Sequence, residues 1–494
     1  MLALSEVPVA RAFGVINWLV VAVYLGAMVY IGFWFSKRET STDDYFRGGQ
    51  RIPWWVAGLS IFATMLSAIT FMGIPARAYA TDVTWYIGQL PILLVAPLVV
   101  VFYLPHFRTL NITSAYEYLE NRFNLATRLF ASVSFILFHI GRIAIVLYLP
   151  ALALAQVSAI NVHLCIVIIG SLCVVYTVMG GIEAVVWSDA IQAVVLLGGA
   201  LLCLVLVFLR VEGGVAAVWN TSITDAKLFQ SFTSDFNTGD GTTSWWVLFI
   251  AFFFNSLVPY TSGQDVVQRY VTTSDEKQAA RSLWTTMWMS VFGSMIFFAL
   301  GTAIYAFYKS HPSLLDPAMS SHDAILPFFI MQQLPVGVAG ILVAAIFAAS
   351  QSTVSSSLNS IATAYVTDFH ARVLYPGNSD RRNLSVARWV VVAVGAMGIG
   401  VACILATLKI ESAFKTFMVL IGLTAGAMGG LFALGVFNRR ATGAGALAGA
   451  LIAFSTVMVL HIAAAPVSGL LYACIGFLMC FITGSLLSLF GTRP

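Results

Sequence analysis

Residues 348–360 read AASQSTVSSSLNS and lie inside a long, otherwise apolar run at 336–366. These thirteen residues carry seven hydroxyl groups, one glutamine and one asparagine. Four of them recur at three- and four-residue steps and so share one stripe of a helix: Ser352, Ser355, Ser356 and Asn359. Hydroxyl and backbone carbonyl oxygens are ligands that a hard cation such as sodium prefers. We therefore favour ion coordination, although small polar residues also pack helices together.

The composition places this stretch in a membrane. The chain has 494 residues, of which 60% are hydrophobic and only 9% charged, and its mean hydropathy is +0.90. Soluble domains carry about 25% charged residues, so most of this surface faces lipid. The sequence shows neither a basic run typical of nucleic-acid binding nor a phosphate-binding loop for ATP hydrolysis. The six cysteines sit in apolar runs without metal spacing, which indicates small buried hydrophobic residues.

About thirteen apolar runs are long enough to cross a bilayer, which needs roughly 20 residues. Lipid cannot satisfy backbone polar groups, so each run must be a helix. We therefore predict an all-α polytopic membrane protein, with residues 1–494 forming a single transmembrane domain. The predicted spans are 15–36, 53–79, 83–105, 128–155, 161–179, 189–210, 244–264, 282–308, 336–366, 388–408, 413–437, 441–463 and 467–490.

Positive charge is shared unevenly between the two sets of predicted loops. Most of the 25 lysines and arginines follow odd-numbered spans, in segments 37–51, 108–128, 269–281, 372–388 and 439–440. Short loops rich in lysine and arginine stay in the cytoplasm. We therefore expect the N-terminus outside and the C-terminus inside.

A second group of small polar residues lies midway through the span at 53–79: Ser60, Thr64, Ser67 and Thr70. Such residues can soften a helix and turn its carbonyls toward a ligand, as in the discontinuous helices of transporters. Contact between helices explains them equally well. The residues alone leave both interpretations open.

Two charged side chains stand out among the apolar runs. Asp189 begins the span at 189–210, where a helix N-cap explains it better than a cation ligand. Arg142 needs an anion, but no carboxylate lies within a helical turn of it. Arginine suits bidentate recognition of carboxylates. We therefore favour a substrate carboxylate over a salt bridge to another helix, with Gln89 as a second polar contact.

Three motifs carry a resemblance to a known family: MGGIEAVVWSDAIQ (179–192), GQDVVQRY (263–270) and AASQSTVSSSLNSIATAYVTDF (348–369). They resemble the sodium/solute symporter family, which includes sodium-coupled glucose, iodide, monocarboxylate, proline and sialic acid transporters. The bacterial sialic acid branch is most similar, on three further pieces: DDYFRGG (43–49), SAYEYLENRF (114–123) and FASVSFILFHIGR (130–142). The resemblance covers nearly the whole chain.

The resemblance implies a LeuT-like fold with two inverted five-helix repeats, at about 53–210 and 244–437. One extra N-terminal helix (15–36) and two extra C-terminal helices (441–490) would flank them.

The resemblance also implies site residues. A core sodium site would use three backbone carbonyls and two hydroxyls: Ala63, Leu66, Ala349, Ser352 and Thr353. A second sodium site, present only in some members, would use Asp189, Ser352, Ser355 and Ser356.

The substrate contacts implied by the resemblance are Ser67, Thr70, Gln89 and Arg142, with Arg142 on the carboxylate of sialic acid. Met65 and Ala68 depart from this pattern, because the relatives carry threonine and serine there. Each change removes a hydroxyl from the pocket and leaves the exact substrate open.

We therefore expect a sodium-coupled symporter, not an enzyme, in the plasma membrane, specifically a bacterial inner membrane. It would import an acidic sugar, first of all sialic acid, by alternating access with co-transported sodium ions. We expect no nucleic-acid partner and no obligatory protein partner. Another small carboxylate or sugar is the alternative substrate. Proton coupling, a channel and a membrane sensor are less favoured, since the sequence shows no re-entrant filter and no signalling domain.

Overall fold

The architecture is all-helical. The computed structural model describes residues 13–37, 41–157, 160–235, 237–239, 242–316, 322–408 and 413–490, without the side chains of 156–157 and 413–420. No β-strand occurs in these ranges. Ten helical segments are long and apolar enough to cross a membrane, or eleven if one bent pair counts as a span. The chain termini, whose sides the charge pattern predicts, lie outside the described residues.

The first half of the chain follows the predicted spans closely, because long apolar runs satisfy their backbone groups internally. Residues 84–109 cross as one segment with a 3₁₀ turn at 84–89 and a π-helical turn at 99–103. The helices are α1 (Val15–Ser36), α2 (Thr42–Arg47), α3 (Trp54–Met65), α4 (Ala68–Ala80), α5 (Ile92–Leu98), α6 (Leu104–Thr109), α7 (Glu117–Arg122), α8 (Leu125–Val157), α9 (Val162–Arg210) and α10 (Gly214–Thr224).

Within its described residues, the second half contributes nine helices, and the most enclosed of them carries the hydroxyl-rich stretch. Every residue from 342 to 364 of this helix, α15, is buried, and the helix packs against α1, α3, α8 and α9. The helices are α11 (Trp245–Ser262), α12 (Gln264–Thr272), α13 (Glu276–Ser310), α14 (Ile325–Gln333), α15 (Val338–Ala364), α16 (Asp380–Leu408), α17 (Ala413–Phe437), α18 (Gly443–Ile462) and α19 (Tyr472–Leu487).

The span predicted at 53–79 is broken in the middle. Leu66 (ψ 86°) and Ser67 (ψ 169°) leave the helical region, and α3 and α4 meet at an angle of 62°. The break falls among the small polar residues of this span. The discontinuous-helix interpretation is therefore correct, and the break directs the end of α3 toward α15.

The predicted loop between 179 and 189 is wrong, because residues 182–188 are helical. The chain instead breaks sharply at Gly181, whose combination of φ 50° and ψ −147° is readily adopted by glycine alone among ordinary residues. A side chain there would also meet the Tyr45 carbonyl oxygen at 2.9 Å. The region around Asp189 is consequently the interior of a helix.

The segment after α11 is also more ordered and more buried than predicted. Gly263 ends α11, and the chain continues directly into the short helix α12, in which every residue is buried. Helix α12 packs against α3 and α15. Arg269, which the charge pattern places among the cytoplasmic loop charges, is instead buried in α12.

Candidate functional site

The break between α3 and α4 leaves backbone carbonyls without partners in their own helix. Two hydroxyls of α15 meet them. Ser352 Oγ donates to the Ala63 carbonyl at 2.9 Å, and Thr353 Oγ1 donates to the Thr64 carbonyl at 3.3 Å. Both hydroxyls also lie within 3.4 Å of the Ala349 carbonyl oxygen. Four of the five expected core-site residues therefore converge.

Leu66, the fifth residue expected at the core sodium site, is where the helical geometry of α3 ends. Oxygen ligands lie about 2.3–2.6 Å from a calcium ion, which is close to sodium in size. Ligands at right angles around such an ion are then roughly 3.3–3.7 Å apart. The oxygens at this junction lie 2.9–3.4 Å apart. Shifts of a few tenths of an ångström would let them surround the ion.

Asp189 lies fully buried inside α9, so the N-cap interpretation is wrong. Its Oδ2 atom accepts hydrogen bonds from Ser60 Oγ at 2.7 Å and from Ser356 Oγ at 3.1 Å. Of the residues expected at the second sodium site, Asp189 and Ser356 are thus in contact. Ser355 instead donates to the Ser352 carbonyl within α15, at 3.3 Å.

Arg269 supplies the positive charge beside Asp189. Its Nη2 atom lies 3.1 Å from Asp189 Oδ2 and donates to Ser356 Oγ at 2.5 Å. Its Nε donates to Ser60 Oγ at 3.1 Å. The guanidinium therefore contacts the same oxygens that a cation at the second site would use. Asp189 Oδ1, buried and without a hydrogen bond, is still available to a ligand.

Arg142 forms a salt bridge to another helix, which was the alternative to the favoured contact with a substrate carboxylate. Its Nη1 atom lies 2.9 Å from Asp265 Oδ2, and its Nη2 donates to the Thr64 carbonyl at 2.7 Å. The pair is buried, and His139 Nε2 lies 3.7 Å from the other Asp265 oxygen. Arg142 thus joins the broken helix to α12.

Sequence reasoning missed Asp265 and Arg269 as site residues, although both belong to the quoted motif GQDVVQRY. The sequence did contain a pattern that could have identified these two residues. A carboxylate and a guanidinium four residues apart share one face of a helix, and a charged face next to apolar spans needs buried partners. The partners, Asp189 and Arg142, are 80 and 123 residues away in sequence.

A cavity of about 460 Å³ begins at the break and runs along α4. Thr70 and Gln89 line it, as expected of substrate contacts, whereas Ser67 and Arg142 are buried and do not form its wall. Met65 lines it too, and Ala68 does not. The other polar or charged lining residues are Arg77, Asn255, Ser256, Tyr260, Ser290, His322 and Asp323. Burial raises the pKa of the Asp323 carboxyl, an effect that His322 opposes.

Known proteins match this chain over almost its whole length. The family model for the sodium:solute symporter family matches residues 45–453. The sodium/sialic acid symporter NanT of Aliivibrio fischeri is 44% identical over 477 residues, covering 97% of this chain and 94% of the relative. SiaT of Proteus mirabilis, also a sodium/sialic acid symporter, is 45% identical over 447 residues, with 90% and 89% coverage.

A solved structure is similar as well. It shows a Na⁺-coupled sialic acid symporter in a substrate-bound outward-open state. Its sequence is 41% identical to this chain, and the two superpose with a TM-score of 0.91. The match covers 97% of this chain and 99% of the other. The two proteins therefore share their transporter fold.

Replacing Asp265 by asparagine removes the anion that neutralises Arg142 within the bundle. Removing one partner of a buried ion pair costs about 3–5 kcal/mol, because the other charge is left buried alone. We expect Asp265→Asn to lower the thermal unfolding temperature of the purified protein strongly. Asp43→Asn, which breaks an exposed pair with Arg47, is the matched control and should change it little. Equal shifts would contradict a stabilising role for the buried pair.

Proposed function

Because the chain belongs to the sodium:solute symporter family, we propose that it is a sodium-driven importer of sialic acid in a bacterial plasma membrane. One observation carries the proposal. Uncharged oxygens of Ala63, Ala349, Ser352 and Thr353 converge where a broken helix meets the centre of the bundle. The substrate is proposed because the two relatives near 45% identity are sodium/sialic acid symporters.

We propose thirteen membrane spans. Helix α9 has 49 residues, so it would be about 74 Å long if straight. That length is more than twice the roughly 30 Å hydrocarbon core, so the break at Gly181 divides it into two spans. The second half of α9, the bent pair α3–α4, and α17 with its apolar part Ile421–Phe437 add three spans to the ten, which gives thirteen. Positive charge in the loops after odd-numbered spans favours an outside N-terminus and a cytoplasmic C-terminus.

The interruptions support two inverted repeats at 53–210 and 244–437. The first helix of each proposed repeat is broken: α3–α4 at Leu66–Ser67, and α11–α12 at Gly263. Paired discontinuous helices in the two halves are typical of inverted-repeat transporters, whose sites lie at the breaks. On this plan one N-terminal helix (15–36) and two C-terminal helices (441–490) lie outside the repeats.

The proposed cycle uses sodium to decide which way the cavity opens. An ion at the core site would bind the end of α3, in one repeat, to α15, in the other. With our topology, the cavity end near residues 77–85 and 322–323 faces outside. The pairs Arg142–Asp265 and Asp189–Arg269 would close the cytoplasmic side. Sodium and solute are coupled because both stabilise the same state.

Sialic acid would bind in the cavity through Thr70 and Gln89, which line it, with Ser67 next to the break. Arg142 would reach the carboxylate only after it leaves Asp265, since Asp265 occupies its guanidinium in this state. Met65 lines the cavity at a position where the expected pattern has threonine, so the cavity lacks that hydroxyl. Another acidic sugar or a small carboxylate is therefore the alternative substrate.

A second sodium ion would be useful energetically. A tenfold sodium gradient supplies ~1.4 kcal/mol per ion, and 100 mV supplies ~2.3 kcal/mol per net charge. Two sodium ions with a monoanion thus yield about 5 kcal/mol, enough for a few thousandfold accumulation. One sodium ion would yield only about tenfold. We propose that the second ion binds Asp189, with Ser352, Ser355 and Ser356, after displacing Arg269.

The function is tested by uptake of labelled N-acetylneuraminate into vesicles that contain the purified protein. We expect concentrative uptake when sodium is higher outside, and almost none when potassium or choline replaces sodium at the same pH. Equal uptake in potassium would contradict sodium coupling. Sodium-driven uptake of a different acid, without N-acetylneuraminate uptake, would support a sodium symporter whose substrate is that acid.

Ser352→Ala tests the core site. The variant removes a hydroxyl that contacts both helices. We therefore expect the sodium concentration for half-maximal uptake to rise about tenfold, which corresponds to roughly the free energy of one hydrogen bond. Ser294→Ala is the matched control, because that buried hydroxyl donates only to Val291 of its own helix. The same sodium dependence in both variants would argue against the site.

Asp189→Asn tests the second site. It keeps the hydrogen-bonding oxygen but removes the charge that would attract an ion. We expect the Hill coefficient for sodium to fall from about two toward one, with transport still measurable. In Asp368→Asn, another buried carboxylate paired with an arginine at 2.7 Å, the steepness should stay near two. An unchanged Hill coefficient in Asp189→Asn would show that this residue does not bind a transported sodium ion.

A further inference from the structure

Arg77 is a cation in the cavity wall that none of the proposed sites uses. It lies on α4 seven residues after Thr70, so the two share one face of the helix. Its guanidinium carbon lies 4.3 Å from the centre of the Trp85 ring. Within the described part of the chain its side chain forms no hydrogen bond or ion pair, and its buried Nε has no partner. A positively charged donor is therefore held in place but unused.

The acid nearest in sequence, Asp82, does not use up this donor. One Asp82 oxygen accepts from the Thr84 amide at 2.9 Å. The other accepts from the Thr84 hydroxyl at 3.1 Å and from the Ser231 amide at 2.7 Å. Asp82 is thus engaged in ordering the loop after α4. Arg77 keeps its hydrogen-bonding capacity for something that enters the cavity.

Arg142 is in the opposite condition. It is 4% exposed, donates to Asp265 and to the Thr64 carbonyl, and does not form the cavity wall. An acidic solute that enters the cavity in this state meets Arg77 before any other lysine or arginine, because Arg77 is the sole one among the described lining residues.

We propose that Arg77, stacked on Trp85, is an outer anion-binding subsite that receives the carboxylate of the entering acidic sugar while Arg142 is still paired with Asp265. The inference rests on the proposed function and adds a residue and a binding step to it. The planar guanidinium presents two parallel N–H donors to a carboxylate. The indole face restrains that plane, so less conformational entropy is lost on binding.

The subsite lies two helical turns from Thr70, about 10 Å along α4. The cavity-lining residues between them on α4 include the apolar Met72 and Ile74. Such surroundings strengthen a charge-assisted hydrogen bond, because they exclude competing water. A solute held here by its carboxylate would have its polar body directed along the cavity toward Thr70 and Gln89.

The experiment pairs a protein change with a ligand change. Binding of N-acetylneuraminate and of its uncharged C1 amide is measured by calorimetry in saturating sodium, for wild type, Arg77→Gln, Arg77→Lys and Arg210→Gln. We expect Arg77→Gln to weaken the acid about tenfold, which is ~1.4 kcal/mol, and the amide less than twofold. Arg77→Lys keeps the charge but loses the two parallel N–H donors of the guanidinium. It should weaken binding of the acid about threefold without affecting binding of the amide.

Arg210→Gln is the matched control, since Arg210 is exposed and lies outside the cavity; it should bind both ligands like wild type. Equal weakening of acid and amide by the Arg77 variants would overturn the inference, because a packing role predicts that result. Unchanged affinity for the acid would overturn it too. If Arg77→Gln does not fold, Arg77→Lys decides by the same comparison. Failure of wild type to bind the acid in sodium would instead overturn the proposed function, and with it this inference.

Discussion

The hydrogen bond from Ser352 to the Ala63 carbonyl is the contact on which the centre of the bundle depends. A carbonyl freed by a helix break has no water to accept from inside a membrane, and leaving it unsatisfied costs several kcal/mol. A hydroxyl inside an apolar helix needs an acceptor for the same reason. The break in α3–α4 and the polar stripe of α15 therefore stabilise each other. In the proposed cycle a sodium ion would replace this contact by binding both oxygens, and no large rearrangement would be needed.

A layer of buried charge lies beside this junction and limits how the helices can move. Arg142 with Asp265, and Arg269 with Asp189, connect α8, α9 and α12. Buried charges are tolerated only with partners, so motion of α12 must either keep these pairs or offer new ones. In the proposed cycle both replacements come from the cargo. A carboxylate substitutes for Asp265 at Arg142, and sodium substitutes for Arg269 at Asp189. On this proposal, the same charged residues would close the cytoplasmic side in one state and bind the cargo in another.

Local sequence patterns predicted most of the helices. In lipid, apolar runs such as 15–36 and 388–408 must form helices. Helix α1 has the predicted bounds, and α16 ends at Leu408 as predicted but begins eight residues earlier, at Asp380. The hydroxyl-rich stretch predicted an oxygen-lined site because seven hydroxyls have little use in an apolar helix unless something binds them. Prediction failed at 180–188, a segment that the predicted spans 161–179 and 189–210 leave between them. A single positive-φ glycine, Gly181, is enough to turn the chain, and the rest of that segment stays helical.

Sequence alone is enough to identify a helical membrane protein with a polar centre, because the cost of placing polar groups in lipid is set by each residue and its near neighbours. Which buried charges form ion pairs depends on how the helices pack in three dimensions. Arg142 could have faced a ligand or a distant helix, and only the approach of α12 settled that Asp265 holds it in this state. The same packing buries Arg269 within α12 and, among the described residues, leaves Arg77 with no ion-pair partner. Ion pairing acts over a few ångströms of space, and partners 80 or 123 residues apart leave no local pattern by which to find them.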